Sequence, residues 1–168
     1  IQKMWSYLEP LFIGGDEVKR ELPKDAEIFQ QVNTQLKSTL QRCWKTRNVK
    51  TACLQDGLLE QLQAMQAAQE QCKKSLSEYL DGKRRQFPRF YFISEVELLD
   101  ILSNSSNPST VLQHVRKILT STGSVKLIAD KSSGAVSATS FTSARTGEEV
   151  SFGHAVPLNG RAEAYLTD

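Results

Sequence analysis

The sequence lacks both a long hydrophobic run and a strong excess of charge of either sign. Its longest apolar segments fall far short of the roughly 20 residues that a membrane-spanning helix needs, so no membrane partner is expected. Lysine and arginine together number 21 and aspartate and glutamate 19, which leaves a net charge of +2. A dedicated nucleic-acid domain is usually strongly basic, so this balance does not favour a nucleic-acid partner.

Cysteine and histidine are also scarce. The three cysteines, Cys43, Cys53 and Cys72, are odd in number and widely spaced, which indicates free thiols in a reducing compartment such as the cytoplasm. They have neither C-x-x-C spacing nor a nearby pair of histidines, so no structural zinc is predicted. His114 and His154 stand without a partner motif, and neither is predicted to be a ligand or a catalytic residue.

Motifs for nucleotide binding or covalent catalysis are absent. The segment 82–84 has no glycine five residues earlier and no serine or threonine after its lysine, so it is not a phosphate-binding loop. Nothing resembles a nucleophile elbow or a glycine-rich dinucleotide turn. The sequence therefore predicts no catalytic residue, no cofactor, no metal site and no binding of ATP. Because the chain begins at Ile1 without an initiator methionine or a signal peptide, we expect an excised piece of a longer protein.

The hydrophobic residues that are present repeat with the period of α-helices. They make up 39% of the chain against 24% charged residues, enough for a hydrophobic core. Intervals of three and four residues predict helices over 3–12 and 24–45 and a longer one from about 55 to 85. The apolar positions of the second are Phe29, Val32, Leu36, Leu40, Cys43 and Trp44. The third has an apolar row with a period of seven, typical of a helix packed along antiparallel neighbours: Leu58, Met65, Cys72 and Tyr79.

Signals for helix ends follow the long helix. Pro88 is predicted to stop it, because the residue before a proline disfavours helical backbone. Ser94 and Glu97 have the spacing of a capping box at the start of a further helix. Asn107 and Pro108 predict another helix start, with the asparagine as the cap and the proline in the first position.

Gly123 is predicted to end the last of these helices, and after it the composition shifts to serine, threonine, alanine, glycine and valine. Three strands are predicted, over 125–129, 136–142 and 149–152. The segments between them, which include glycine, are expected to be turns.

We therefore expect a mainly α fold: an elongated antiparallel helical bundle with a small antiparallel β-hairpin or meander near the C-terminus. The expected division is a helical bundle part over 1–123, a β-hairpin appendage over 124–159 and the start of a truncated helix over 160–168.

The most distinctive cluster is the basic-aromatic segment, residues 83–92, with four basic and four aromatic side chains in ten positions. Such a segment can bind nucleic acid, with cations on phosphates and rings stacked on bases. It is also typical of a helix C-terminus whose bases complement the helix dipole and whose following rings enter the core. The rest of the chain is interpreted as adding no basic patch, which favours the second interpretation. We accordingly expect Phe90, Phe92 and Leu99 to be buried.

The same segment resembles the linker of dynein heavy chains. The letters FPRFYFIS at 87–94 and LLDILSN at 98–104 are similar to a long run that this family has at this place. The letters WSYLEPLF at 5–12 look like the upstream helix of that linker. The similarity is close over 1–120 and looser over 121–168, and its character is that of an axonemal heavy chain of outer-arm type.

The resemblance implies a mechanical function and no catalysis by this segment. In dyneins the linker is a rod of helical bundles that lies over a ring of AAA+ modules and is remodelled during the ATP-driven power stroke. The chain would then be a lever segment in the axoneme of a cilium or flagellum. Its partners would be the AAA+ ring of the same heavy chain, other dynein subunits indirectly, and the microtubule only through the complete motor. The alternative is a helical scaffold or adaptor that binds a partner helix or nucleic acid through residues 83–92.

Two segments are candidate functional sites. The segment 87–94 is a hypothesis for a pivot or rigid junction between bundles, with an ordinary helix–helix corner as the alternative. Its candidate residues are Phe87, Pro88, Arg89, Phe90 and Phe92. The hairpin is a hypothesis for an element that docks on the AAA+ ring, with a surface insertion as the alternative. Its candidate contacts are Lys131, Arg145, Glu148 and Glu149.

Overall fold

The computed structural model describes residues 1–105, 107–129 and 136–167. The chain divides within its longest helix into unit 1, Ile1–Tyr79, and unit 2, Leu80–Asp168. The helices are α1 (Gln2–Phe12), α2 (Asp16–Glu21), α3 (Pro23–Thr46), α4 (Val49–Cys53), α5 (Leu58–Gln86), α6 (Glu95–Ser103), α7 (Pro108–Val111), α8 (Val115–Ile118) and α9 (Ala162–Tyr165). Two 3₁₀ turns cover Pro88–Phe92 and Leu112–His114, and the strands are β1 (Thr122–Ala129), β2 (Val136–Ser143) and β3 (Glu149–Pro157).

The fold class predicted from the sequence is confirmed: the protein is mainly α-helical with a small antiparallel sheet near the C-terminus. The three helices predicted from apolar spacing over 3–12, 24–45 and about 55 to 85 are also present, as α1, α3 and α5. Their three-and-four spacing is a local signal, which is why it locates them well. The division at residues 123 and 159 stays a prediction.

The core of unit 1 is built from the apolar faces of its helices. The rings of Phe12 and Phe29 stack with their centroids 5.4 Å apart, which joins α1 to α3. Val32, Leu36 and Met65 form a second buried cluster, which joins α3 to α5. The seven-residue row of α5 is accordingly buried where it faces this core, at Leu58, Met65 and Cys72.

The C-terminal end of α3 departs from the predicted apolar face. The face is buried as far as Thr39, but Leu40 is exposed and Trp44 is 79% exposed. Arg47 then adopts left-handed backbone with φ of 54°, which ends α3. The side chain of Asn48 caps α4 directly afterwards. The last turns of α3 therefore lie beside the short α4, and not against the core clusters of unit 1.

In unit 2 the helix predicted after Asn107 is broken into α7, a 3₁₀ turn and α8. The β-branched residues Thr110, Val111 and Val115 lower its helix propensity. Pro108 takes the first helical position as predicted. Asn107 stands at the cap position, but its side chain makes no capping hydrogen bond, so that part of the prediction is wrong.

The strands pair in the order β1-β2-β3, which makes β2 the central strand. Both outer strands are longer than predicted, and Gly123 lies inside β1, so the prediction that it ends a helix is wrong. A Cβ atom at this position would lie 3.1 Å from the carbonyl oxygen of Thr142 on β2. The close approach of the two strands therefore favours glycine there.

Candidate functional site

The junction after α5 is a 3₁₀ turn, and its three-residue period decides which side chains enter the core. Phe87, in extended backbone before Pro88, ends the long helix as predicted. Residues three apart lie on one side of a 3₁₀ turn, and the three on the inner side, Phe87, Phe90 and Ile93, are all buried. The rings of Phe87 and Phe90 meet edge to face with their centroids 4.9 Å apart. This face anchors the junction within unit 2.

The other side of the turn faces outward. Pro88 and Arg89 are exposed, and Phe92 is 72% exposed. The predicted burial is confirmed for Phe90 and Leu99 and wrong for Phe92. A helical spacing of three and four gives no reason to predict different burial for Phe90 and Phe92. Counting in threes from Phe87 reaches Phe90 and not Phe92, and would have predicted that Phe90 is the buried one.

Two cations of the basic-aromatic segment are engaged inside unit 2. Lys83 is only 5% exposed, and its Nζ lies 2.5 Å from Oε1 of Glu163 on α9, itself 8% exposed. Arg84 donates to Asp81 at 3.1 Å and lies over the ring of Tyr91, 5.8 Å from its centroid. The sequence predicted that residues 83–92 begin at a helix C-terminus, but no local pattern identified a partner for Lys83 so far along the chain. These contacts disfavour the scaffold or nucleic-acid alternative, because these two bases are already paired within the unit.

Directly after the junction, the predicted capping box at the start of α6 is confirmed. The hydroxyl of Ser94 accepts from the backbone N–H of Glu97, and the carboxylate of Glu97 accepts from the backbone N–H of Ser94. The same carboxylate accepts from Nζ of Lys117 on α8. The pKa of Glu97 is lowered from 4.5 to about 2. The hydrogen bond from Lys117 has the largest effect, followed by those from Ser94.

A second contact joins α6 to the 3₁₀ turn before α8. Nε2 of His114 lies 2.8 Å from Oδ2 of Asp100. His114 is half-buried. Together with the Glu97–Lys117 pair, this contact fixes the helix that follows the junction.

Replacing Glu97 with glutamine is expected to destabilise the protein in a pH-dependent way. A carboxylate with a lowered folded-state pKa contributes stability that is fully present above its unfolded value, about 4.5, and is lost as the pH falls through about 2. The difference in thermal midpoint between the unchanged protein and the Glu97→Gln variant should therefore be largest near neutral pH and should disappear at acid pH. Circular dichroism melts over a pH series measure this gap.

The variant Lys117→Met serves as the comparison, because it removes the first cause of the shift and leaves the carboxylate in place. The difference in thermal midpoint between this variant and the unchanged protein should likewise disappear at acid pH. A gap that stays constant from neutral pH to about pH 2 would contradict the assignment of the shift to this pair.

The second candidate site is the turn between β2 and β3. The hydroxyl of Ser143 accepts from the backbone N–H groups of Arg145 and Thr146, each at 3.4 Å. Gly147 supplies left-handed backbone with φ of 71°, which suits a glycine. Arg145 and Glu148 are exposed at this turn. The turn therefore presents one charge of each sign on a defined backbone.

The remaining two candidate residues of the hairpin behave differently. Glu149 is exposed but held within the sheet, since its Oε1 accepts from Ser140 at 2.6 Å and from Lys126 at 3.2 Å. These hydrogen bonds lower the pKa of Glu149, and the one from Ser140 has the largest effect. Lys131 lies outside the described residues. The structure thus brings Arg145, Glu148 and Glu149 to one turn.

Within the described residues, no helix is both long and apolar enough to cross a membrane. Nor does that part of the chain bring three histidine, cysteine, aspartate or glutamate side chains together in a way that could hold a metal ion.

Comparison with known proteins gives one consistent result. The family described as "Dynein heavy chain, N-terminal region 2" matches residues 1–168. The chain is 38% identical, over 100% of its length, to the dynein alpha chain of the flagellar outer arm of Chlamydomonas reinhardtii. It is 36% identical over 99% of its length to dynein axonemal heavy chain 17 of Homo sapiens, and 36% identical over 100% to the dynein-1-alpha heavy chain of the flagellar inner arm I1 complex of Chlamydomonas reinhardtii. The chain spans 4% of the length of each of these relatives.

Proposed function

The chain belongs to the dynein heavy chain family, within its N-terminal region 2, and from that premise we propose that it is a mechanical linker segment of an axonemal motor. In this function it is a lever that is remodelled over the AAA+ ring during the ATP-driven power stroke. It catalyses nothing itself, and nucleotide hydrolysis and microtubule binding belong to other parts of the heavy chain. The relatives named as flagellar and axonemal support a setting in the axoneme of a cilium or flagellum.

The observation that carries the proposal is the way in which the long helix ends. α5 has 29 residues, roughly 43 Å at 1.5 Å per residue. Its last turns are fixed by the buried Lys83–Glu163 pair and by the Phe87–Phe90 ring contact. A helix that transmits force needs a firm attachment at its end, since a loose end would absorb the displacement.

We therefore assign the segment 87–94 to a rigid junction and not to a free pivot. Comparing structures of the complete motor in two nucleotide states tests this directly. The angle between the last turns of α5 and α6 should remain the same, because buried rings and the capping box hold both. An angle that differs between the two states beyond coordinate error would show that the segment is a pivot.

The second part of the proposal assigns the β2–β3 turn to contact with the AAA+ ring of the same heavy chain. The exposed side chains of Arg145 and Glu148 are the contacts, with Glu149 tied into the sheet behind them. Loops held on a rigid scaffold are common binding elements, which supports this assignment. Other dynein subunits would be reached only indirectly.

Reversing both charges of this turn is expected to slow the complete motor. The double variant Arg145→Glu/Glu148→Lys leaves β2 in place, whereas removal of the hairpin would delete the central strand of the sheet. We expect a loss of about twofold in microtubule gliding speed, the size of a coupling change near 0.5 kcal/mol. Gliding assays and ATPase rates measure it.

The matched control is Lys73→Glu, a charge reversal at an exposed position on α5. It should leave gliding speed and ATPase rate unchanged. If the turn variant is also unchanged, the hairpin is a surface insertion and the docking assignment is wrong.

A further inference from the structure

Unit 1 contains an apolar cleft between the end of α3 and α4 that the proposed lever function does not use. We call it the α3–α4 cleft, and its volume is about 550 Å³. It is lined by Cys43, Trp44, Arg47, Asn48, Val49, Ala52 and Cys53. The left-handed turn at Arg47 produces it, because the chain reverses there and places α4 beside the last turn of α3.

The cleft and its surroundings expose more hydrophobic surface than a solvated helix end normally does. Trp44 is 79% exposed and Val49 is 78% exposed, and both line the cleft. Leu40, one turn before Trp44 on α3, and Leu54, directly after α4, are exposed as well. Single exposed apolar residues are ordinary, but a concentration of large ones marks a surface that binds a partner.

The charged residues of the chain segment that forms the cleft are of one sign. No aspartate or glutamate occurs between Glu27 and Asp56, while five bases do: Lys37, Arg42, Lys45, Arg47 and Lys50. Lys37 is neutralised by Glu9 at 3.2 Å, which leaves four bases. Arg42 donates to the uncharged amide of Gln61 at 3.4 Å, so its charge remains available. This run is a second basic stretch, and it corrects the interpretation that only residues 83–92 are locally basic.

We propose that the α3–α4 cleft binds an amphipathic helix of a partner protein that has acidic residues beside its apolar anchors. The apolar lining takes the anchors, and the basic side chains around the cleft attract the acidic flanks.

A helix fits the chemistry of the cleft. Helices that bind in grooves insert apolar residues spaced three and four apart, and the exposed ring of Trp44 and the side chain of Val49 offer such residues a surface. The acidic flanks follow from charge complementarity, which selects the partner and speeds its association. A nucleic acid is disfavoured, because the lining contains two thiols, a valine and an alanine and only one ring for stacking.

The test uses two synthetic amphipathic peptides of roughly five helical turns, identical in their leucine anchors. One has glutamate on its flanks and the other has lysine at the same positions. Occupancy is measured as protection of Cys53, which is exposed in the cleft, from a thiol-labelling reagent. Cys72 is buried and its pKa is raised to about 11, so absence of label there reports that the chain remains folded.

The acidic peptide should protect Cys53, and the protection should weaken as salt is added. The basic peptide should bind roughly tenfold more weakly or worse, because it sets like charges against the cleft. Trp44→Ser and Arg47→Glu should each reduce protection by the acidic peptide. Their matched controls in unit 2, Phe92→Ser and Arg89→Glu, change equally exposed side chains of the same types and should not.

Three results would overturn the proposal. The first is equal protection by the acidic and basic peptides. The second is protection of Cys53 by a higher concentration of the chain alone, which would make the cleft a contact between two copies. The third is protection by a single-stranded oligonucleotide that equals or exceeds that by the acidic peptide.

Discussion

Replacing Phe90 with alanine is expected to lower the free energy of unfolding by about 3–5 kcal/mol, the loss that truncation of a core phenylalanine usually causes. The ring is fully buried and packs edge to face on Phe87. Its removal leaves a cavity at the one face that anchors the junction. Urea denaturation followed by circular dichroism measures the loss. Tryptophan fluorescence would be a poor choice, because both tryptophans, Trp5 and Trp44, belong to unit 1.

The control for this variant stands two residues away in the same 3₁₀ turn. Phe92→Ala removes the same ring from an exposed position and should change the stability by no more than about 0.5 kcal/mol. Similar losses at the two positions would contradict the division of this turn into an inner and an outer side.

Replacing Glu163 with leucine is expected to cost a similar amount, about 3–5 kcal/mol, but for an electrostatic reason. The variant removes the carboxylate and leaves the ammonium group of Lys83 in a buried position. Breaking one half of a buried ion pair is strongly destabilising, because the remaining charge has been taken out of water. The same urea titration measures this loss.

The double variant Lys83→Met/Glu163→Leu distinguishes this explanation from a simple loss of packing. Replacing both members of a buried pair by apolar residues is often neutral or stabilising, so the double variant should recover most of the loss. A double-mutant cycle in which the two single losses add would show that the pair makes no specific contribution.

The sequence predicted best the features that depend on neighbours in the chain. The helices α1, α3 and α5 follow from spacing alone, and the capping box of Ser94 and Glu97 follows from two residues three apart. The end of α5 follows from Pro88, since a proline acts on the residue before it. The family resemblance to dynein heavy chains, including outer-arm chains, was also contained in short contiguous runs, and it is confirmed.

The features that the sequence did not predict depend on contacts between distant residues or on a change of helical period. The buried pair joins Lys83 to a residue 80 positions later, which no local pattern reveals. Phe92 is exposed because the turn after Pro88 has a period of three and not of 3.6. The length of β3 is set by its pairing with β2, whose partners reach Pro157. Trp44 is exposed because the core of unit 1 ends before it along α3. The apolar spacing of α3 continues through Trp44 and does not indicate where the core ends.

The buried pair also has a consequence for the order in which unit 2 can fold. During synthesis Lys83 is made long before Glu163, so the ion pair between them cannot form until the later residue has been made. A contact between residues 80 positions apart forms more slowly than the local hydrogen bonds of α5, because the chain between the two residues must first bring them together. The last turn of α5 therefore reaches its final, dehydrated environment only after the chain between Lys83 and Glu163, which contains the three strands, has been synthesised. Assembly of the C-terminal end of α5 is thus a late, co-operative step and not the simple growth of a helix.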